Sequence, residues 1–284
     1  MTATAPRVRR PLRNRFYSVW ARVVLVAMSA VFLAPLYWMV STALKGHDEL
    51  LEFPPTVFPG SPQWSNFRDA VEFIPFGTFF LNTLTITVFS VIGAVISNLL
   101  VAYGFSHVQW PGRDFLFYVV VATIFIPFPV IIVPVFILMA KLGWVDTFLP
   151  LIIPAWLGNP LYIFLLRQYL LQIPRDLTDA ARVDGAREWQ VLWRVVLPLS
   201  KPALAVVAIF AGVFAWNDFL GPLLYLQSED NYTLAIGLQF YRSQYDVQFN
   251  LLMAASTLVV LPLVVLFLAF QKQFIEGATM GSLK

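Results

Sequence analysis

Six stretches of about twenty or more residues with almost no charged side chain dominate this 284-residue sequence. A helix needs roughly 20 mostly apolar residues to cross about 30 Å of hydrocarbon. Only the fifth stretch contains a charge, at Asp218. The sequence therefore predicts an all-α membrane protein with six transmembrane helices, at 23–44, 79–103, 115–140, 147–166, 203–226 and 251–270.

The composition agrees with a membrane protein, because 59% of the residues are hydrophobic and only 12% are charged. The first stretch follows "RVRRPLRNRF", which could be the basic end of a signal peptide. Its length and the lack of a small-residue cleavage site favour a retained span instead. We expect one domain, with an amino-terminal tail at 1–22, a six-span transmembrane domain at 23–270 and a carboxy-terminal tail at 271–284.

The basic residues are distributed unevenly between the two sides of these spans. The amino-terminal tail, the loop near Arg113, the segment 167–201 and the carboxy-terminal tail hold 15 of the 19 lysines and arginines. Cytoplasmic loops carry the excess of basic residues in membrane proteins. We therefore expect both termini and the segment 167–201 in the cytoplasm. The net charge of +3 then reflects this topology and does not indicate nucleic-acid binding.

Six basic and four acidic residues fall within the segment 167–201. Burying ten charges at the bilayer centre would cost on the order of 25 kcal/mol or more, so the segment lies in the aqueous phase. The stretch "DLTDAARVDGAREWQVLWRVVLP" at 176–198 predicts two short helices, with a turn at Asp184 and Gly185. The second helix is expected at about 187–197, ending at Pro198.

Continuous helical spacing through this stretch would place its small and apolar residues on one face, namely Leu177, Ala181, Gly185, Trp189, Leu192 and Val196. An amphipathic loop of this kind could lie on lipid headgroups. Anionic lipid would, however, repel the four acidic residues, so contact with a protein is the favoured interpretation. Asp179 and Arg182 could then fix the register by charge pairing with the partner.

The segment "DAARVDGAREWQVLWRVVLPLSKP" resembles the cytoplasmic signature of binding-protein-dependent ABC importer permeases, which reads Glu-Ala-Ala, three residues, Gly, nine residues, Ile, one residue, Leu-Pro. Asp179 stands for Glu and Val195 for Ile, and the other signature positions match. The stretches "FLNTLTITV", "AWNDFLGPL" and "QKQFIEGATMGSLK" resemble the carbohydrate-uptake branch of that family. Within that branch the chain is similar to the shorter six-span permease of maltose and glycerol-phosphate systems.

The resemblance implies a type I ABC importer permease with a cytoplasmic helix–turn–helix coupling loop at 172–201. Such a subunit forms half of the translocation pathway, here for a sugar or sugar derivative. It couples through the 176–198 stretch to a cytoplasmic ATPase. The implied ATPase-coupling residues are Asp179, Ala180, Ala181, Arg182, Gly185, Leu197 and Pro198.

The resemblance also implies the partners and the location of the chain. The partners are a second homologous permease, two cytoplasmic ATPase domains and an extracellular or periplasmic solute-binding protein. The implied location is a bacterial or archaeal cell (inner) membrane.

The sequence offers no basis for catalysis by this chain. It contains no cysteine and no Gly-Lys dipeptide, so thiolate chemistry and a phosphate-binding P-loop are excluded. His47 and His107 are the only histidines and belong to no HExxH motif. We expect no catalytic site, no metal site and no cofactor, with ATP and Mg²⁺ bound by the partner ATPase.

Asp218 is the one charge within a predicted span, and Trp216 and Asn217 precede it. An ionisable residue in a span is a candidate functional residue, so these three are candidate substrate-pathway residues. Asp218 could bind sugar hydroxyls, couple transport to protons or sodium, or make a structural contact near the outer end of its helix. The alternatives to an importer subunit are an ion-coupled secondary transporter that uses Asp218 and a membrane scaffold that recruits a cytosolic protein.

Overall fold

A computed structural model describes residues 12–242 and 248–280, and their regular secondary structure is helical. The predicted tails therefore lie partly outside the described residues. Two short 3₁₀ turns and one π segment supplement the α-helices. The α-helices are α1 (Leu12–Ala43), α2 (His47–Leu50), α3 (Ser65–Phe73), α4 (Phe76–Ser106), α5 (Arg113–Ala122), α6 (Phe128–Lys141), α7 (Leu149–Trp156), α8 (Pro160–Leu170), α9 (Arg175–Val183), α10 (Glu188–Val191), α11 (Leu197–Asn217), α12 (Leu220–Tyr225), α13 (Leu234–Gly237) and α14 (Phe249–Met280).

The prediction of an all-helical membrane protein is confirmed. In the described residues, five segments are long and apolar enough to cross a membrane, namely Val19–Ala43, Phe76–Ser106, Leu149–Leu170, Glu188–Asn217 and Phe249–Gln271. The third predicted span is instead a bent pair, formed by α5 with its 3₁₀ extension and by α6, which meet at 101°. Among the described residues the number of candidate spans rises to six when this pair is counted as one.

The predicted fifth span at 203–226 is wrong at both ends. The helix already begins at Glu188 and continues past Pro198 to Asn217. Pro198 does not end it, because the chain passes through a π segment, Leu192–Val196, and Pro198 follows directly in the first turn of α11. At the other end Asp218 is extended, with ψ 119°, and separates α11 from α12.

Helix α4 is the central helix of its compact unit and packs against α7, α8 and α11. Its contact face carries small and polar residues, which allow close approach of neighbouring helices. Gly93 lies directly against the Trp156 ring of α7, and Asn98 is fully buried. Helices α7 and α8 form one span that is broken at Gly158, where φ is +96°.

Polar side chains compensate for the break between α7 and α8. Ser97 Oγ of α4 donates to the Ala155 carbonyl at 3.1 Å, and Asn98 Oδ1 accepts from Asn159 N–H at 2.7 Å. Asn159 Oδ1 in turn accepts from Leu161 N–H at 2.9 Å and so caps α8. Each bond satisfies a backbone group that a continuous helix would have satisfied itself.

Arg167 connects three helices at the predicted cytoplasmic edge of the spans. Its Nε donates to the Phe105 carbonyl of α4 at 3.1 Å, and its Nη2 lies 3.2 Å from Asp114 Oδ1 of α5. The guanidinium also stands 4.0 Å from the centre of the Phe117 ring. The long side chain therefore keeps its charge paired while it packs on apolar neighbours.

The chain divides into two compact units. One contains residues up to Ala70 with the segment that ends at Leu258, and the other contains the rest. In the first unit Asn66 Nδ2 donates to the Ala43 and Lys45 carbonyls, both at 2.9 Å, and so fixes the chain after α1. Lys45 is buried, donates to the Thr56 carbonyl and stands over the Trp38 ring.

We predict that Gly93→Ala lowers the stability of the detergent-purified protein by about 1–3 kcal/mol, because the added methyl overlaps the Trp156 ring and forces it to move. Gly104→Ala is the control in the same helix, since a Cβ there meets nothing within 4 Å. The control is expected to be neutral or to gain about 1 kcal/mol of helix propensity. Equal thermal unfolding of the two variants would contradict the packing described here.

Candidate functional site

Helices α9 and α10 with the turn between them form a helix–turn–helix, which we call the coupling pair (Arg175–Val191). The predicted turn is confirmed: Gly185 has φ +85°, which favours glycine, and its N–H donates to the Arg182 carbonyl at 3.0 Å. Ala186 N–H donates to the Ala181 carbonyl at 2.9 Å. These bonds satisfy the last carbonyls of α9 and direct the chain into α10.

Four side chains form a hydrogen-bonded chain, which we call the brace: Asp179, Arg182, Glu188 and Tyr103. Arg182 lies 2.6 Å from Asp179 Oδ1 and 2.8 Å from Glu188 Oε1. The Tyr103 hydroxyl of α4 donates to Glu188 Oε2. Within the chain Asp179 and Arg182 pair with each other, and the brace links the coupling pair to the end of α4. Their charge pairing with a partner stays a prediction.

His107 lies next to the brace, where its surroundings disfavour the charged imidazolium. Its ring stacks on Tyr103, with centroids 5.3 Å apart, and its Nδ1 lies 2.8 Å from Ser106 Oγ. Burial, followed by the positive charges of Arg182 and Arg175, holds the pKa of His107 below its usual value. A neutral imidazole adds no positive charge beside Arg182.

The predicted single apolar face of the coupling pair is only partly correct. Leu192 and Val196 are buried, but Leu177 and Trp189 are exposed, at 47% and 60%. The turn at Gly185 resets the helical phase, so spacing counted through it does not hold. Ala180 and Gly185 are exposed, whereas Ala181 and Ala186 are half-buried against the core. A groove of about 330 Å³ opens here and is lined by Ala181, Asp184, Gly185, Ala186, Gln190, Arg194 and Val195.

The coupling pair continues directly into the span α11. The Leu197 N–H donates to the Leu192 carbonyl five residues back, and Ser200 Oγ donates to the Val196 carbonyl at 2.7 Å. Tyr169 of α8 donates to the Leu199 carbonyl at 3.0 Å and holds the start of α11. Leu197 and Pro198 therefore stand within continuous helical backbone between the pair and the span.

The three candidate substrate-pathway residues lie in different surroundings. Trp216 is buried, and its Nε1 donates to the Val259 carbonyl of α14 at 3.1 Å. Asn217 is exposed and donates to the Val213 carbonyl of its own helix at 2.8 Å. Asp218 lines a cavity with a volume of about 430 Å³ among α4, α7, α8 and α11, whereas Trp216 lines a separate, apolar groove of about 370 Å³.

A second carboxylate, Asp146, organises the loops that are predicted to face outward. Its Oδ1 accepts from the backbone N–H groups of Gln227 and Ser228, both at 2.9 Å, and its Oδ2 accepts from the Ser228 hydroxyl. Asn231 Nδ2 donates to the Asp146 carbonyl at 2.9 Å. These hydrogen bonds, led by that of the Ser228 side chain, hold the pKa of Asp146 well below its usual range.

Sequence reasoning missed Tyr103, Glu188 and Asp146. Tyr103 stands in an uncharged run and is 85 residues from Glu188, so no local pattern relates the two. For Asp146 a local signal existed, since it stands in a short loop between two predicted spans, three residues after Gly143. Among the described residues no cluster of three or more His, Asp or Glu side chains could hold a metal ion.

Comparison with known proteins gives a family match over this region. Residues 98–277 match the sequence profile described as binding-protein-dependent transport system inner membrane component. The match includes the brace, the coupling pair, α11 and the cavity residue Asp218.

Similar proteins include three permeases. The chain is 36% identical over 262 residues to the arabinooligosaccharides transport system permease protein AraQ of Halalkalibacterium halodurans, covering 91% of this chain and 93% of that protein. Identity to the sn-glycerol-3-phosphate transport system permease protein UgpE of Pectobacterium atrosepticum is 30% over 272 residues, or 93% and 96% of the two chains. Identity to the diacetylchitobiose uptake system permease protein NgcG of Streptomyces coelicolor is 27% over 274 residues, or 95% and 90%.

The fold is also similar to a solved structure. The chain superposes on one chain of the crystal structure of a bacterial ABC transporter involved in the import of the acidic polysaccharide alginate, with a TM-score of 0.81 and 24% identity. The superposition covers 94% of this chain and 99% of that chain. This similarity confirms the fold predicted from the sequence.

We predict that Tyr103→Phe loosens the coupling pair without unfolding the spans. The variant loses the hydroxyl that donates to the half-exposed Glu188 carboxylate, so the free energy of local opening should fall by about 1–2 kcal/mol. Amide hydrogen exchange of residues 180–188 measures this change. Tyr118→Phe, at an exposed position of α5, is the control, and unchanged exchange in Tyr103→Phe would exclude the brace as a stabilising link.

Asp146 should make the outer loop sensitive to acid. Because its folded pKa lies below the unfolded value of about 3.9, its contribution to stability is present above about pH 4 and is lost as the pH falls further. Protection of the Gln227 and Ser228 amides against hydrogen exchange should therefore decrease on acidification below about pH 4. The decrease should vanish in Asp146→Asn, which cannot titrate, and persist in Glu229→Gln on the same loop; the same acid response in all three proteins would refute this assignment.

Proposed function

The chain belongs to the family of binding-protein-dependent transport system inner membrane components, and we propose that it forms half of the translocation pathway of an ATP-driven importer. In this proposal the coupling pair receives the motion of the ATPase. Family membership makes the chain a multi-pass inner-membrane permease subunit that works with an ATPase and a binding protein. We propose in addition that the complex contains a second homologous permease and two cytoplasmic ATPase domains, which bind ATP and Mg²⁺. Both termini of this chain are proposed to lie in the cytoplasm.

The observation that carries the proposal is the continuity of the coupling pair with a span. From Glu188 the helical backbone runs without a break to Asn217, so a displacement of α10 moves α11 with it. The brace attaches the same pair to α4, which packs against α7, α8 and α11. A push on the coupling pair is thus delivered to the helices around the cavity as a rigid-body movement.

The exposed side of the coupling pair suits close contact with a protein. Ala180 and Gly185 are exposed and carry little or no side chain, the half-buried Ala181 lines the groove beside them, and a Cβ at Gly185 would point into open space. Asp179 and Arg182 frame this surface and hold each other in place. We propose that the ATPase seats on the small residues, while the paired charges keep the surface in the shape that it fits.

We further propose that the substrate is a sugar or a sugar derivative. Among the relatives, two are named for arabinooligosaccharides and for diacetylchitobiose, and a third for sn-glycerol-3-phosphate. Each of these similarities covers nine-tenths or more of this chain. In this proposal the outer loop that Asp146 organises faces the binding protein, since it lies on the opposite side of the spans from the coupling pair.

The test is to purify the tagged chain gently from its native membrane and to identify the proteins that accompany it. We predict that an ATPase and a second permease co-purify, and that Gly185→Arg reduces the ATPase on the order of tenfold or more, which corresponds to about 1.4 kcal/mol. The long side chain would project from the turn into the docking surface. Retention of the second permease in this variant would show that the spans still fold and assemble.

Gly143→Arg provides the matched control for this experiment. Gly143 has φ +70°, and a Cβ there also meets nothing within 4 Å, so the backbone strain is similar. It lies in the loop before α7, on the predicted outer side, and the ATPase should remain bound. Equal loss of the ATPase in both variants, or uptake of a saccharide by the purified chain alone under an ion gradient, would contradict the proposal.

A further inference from the structure

The cavity beside α4 combines an apolar wall with a few inward-facing polar groups. Its volume of about 430 Å³ lies within the roughly 300–1,000 Å³ that is usual for small-molecule sites. Ile86, Ala94, Leu151 and Ala211 contribute apolar surface, and Tyr162 and Phe214 contribute aromatic rings. Polar groups of the lining belong to Thr83, Ser90, Asn159, Asp218 and Thr233, and Tyr162 adds a hydroxyl to its ring.

Thr233 differs from Thr83, Ser90 and Asn159, because its buried hydroxyl makes no hydrogen bond within the protein. Its side chain is 3% exposed, and its Oγ1 has no hydrogen-bond partner. Thr83 donates to the Phe79 carbonyl, Ser90 to the Leu151 carbonyl, and Asn159 caps α8. A buried hydroxyl without a partner costs about 1–3 kcal/mol, so Thr233 marks the place where a ligand would supply the missing bond.

Asp218 offers further acceptor capacity on the same cavity. The Gly221 N–H at the start of α12 donates to its Oδ1 at 3.1 Å. A carboxylate has about four acceptor sites, so capacity remains for donors in the cavity. Hydroxyl groups of a ligand are donors of this kind, and bonds to an ionised acceptor are stronger than bonds to a neutral one.

The charge of the lining selects among hydroxylated ligands. No lysine or arginine is among the lining residues in the described part of the chain, and Asp218 is the one charged group there. A phosphate or carboxylate ligand would meet a negative charge and no counter-charge. The lining therefore disfavours anions and suits neutral rings, whose apolar faces can pack on Tyr162 and Phe214.

We propose that this cavity binds one ring of a neutral saccharide. Asp218 accepts hydrogen bonds from ring hydroxyls, and Thr233 forms a hydrogen bond with another hydroxyl of the same ring. This inference rests on the proposed transport function and narrows its substrate class, since it excludes glycerol phosphates and acidic sugars. It also places a saccharide contact within a single permease chain. Of the three residues predicted from the sequence for the substrate pathway, it assigns direct contact to Asp218 alone.

The experiment uses the complex of this chain with its co-purified partners, in nanodiscs and without the binding protein. Equilibrium binding is measured with tritiated diacetylchitobiose and with an arabinooligosaccharide, in competition with glycerol 3-phosphate. We expect a neutral saccharide to bind and glycerol 3-phosphate not to displace it. Competition by glycerol 3-phosphate as strong as that by the unlabelled saccharide would overturn the proposal, as would failure of both saccharides to bind.

Two variants test the contacts directly. Thr233→Val removes a hydroxyl that has no partner in the chain, so stability should be kept while Kd rises roughly threefold to tenfold. Asp218→Asn keeps an oxygen for the Gly221 N–H but removes the charge, so Kd should rise roughly tenfold or more. Thr87→Val is the matched control, because Thr87 Oγ1 is also buried without a partner but lines a different, apolar groove.

The outcomes separate this inference from the proposed transport function. Unchanged Kd in Thr233→Val and Asp218→Asn, or equal changes in Thr233→Val and Thr87→Val, would overturn the saccharide site. Loss in Asp218→Asn of a sodium or proton dependence of uptake, with saccharide binding unchanged, would assign the carboxylate to a cation instead. In each of these cases co-purification of the ATPase with the native chain would leave the transport function standing.

Discussion

The architecture depends on one constraint of the hydrocarbon phase: every backbone N–H and C=O must find a partner within the protein. Side chains of helix α4 provide these partners for backbone groups of neighbouring helices. Its Ser90, Ser97 and Asn98 side chains bond to backbone groups of the α7–α8 span, where Pro154 and Gly158 interrupt the regular pattern. The broken span is therefore held by α4, and the cavity opens beside these bonds, lined by residues of α4, α7 and α8.

A different problem arises at the predicted cytoplasmic edge, where ten charges stand close to the membrane. The structure pairs the most enclosed of them internally. Arg167 bonds to Asp114 and the Phe105 carbonyl, and Arg182 bonds to Asp179 and Glu188. Surface ion pairs contribute little energy individually, but the carboxylate of Glu188 also receives the Tyr103 hydroxyl and so joins the coupling pair to a span. The main effect of these ion pairs and hydrogen bonds is to hold the coupling pair in position against the span.

The sequence predicted the parts of this molecule that follow from local energetics. The spans follow from the free energy of burying charges, and the turn at Gly185 follows from the glycine's access to positive φ. The outcome at Pro198 was not predictable, because proline ends a helix in most settings and only the preceding π segment accommodates it here. The brace and the cavity escaped prediction because Tyr103 and Thr233 acquire their roles from residues distant in sequence.

The π segment Leu192–Val196 determines the direction in which the coupling pair leaves α11. It accommodates an additional residue in its turn, and one residue of an α-helix corresponds to about 100° of rotation and 1.5 Å of rise. Deletion of one residue here would turn the docking surface by more than a quarter of a circle while every signature residue stayed in the chain. The proposed coupling role of the signature residues thus depends on the angle at which they are presented as well as on their identity. A single-residue insertion or deletion here would reorient the whole coupling pair.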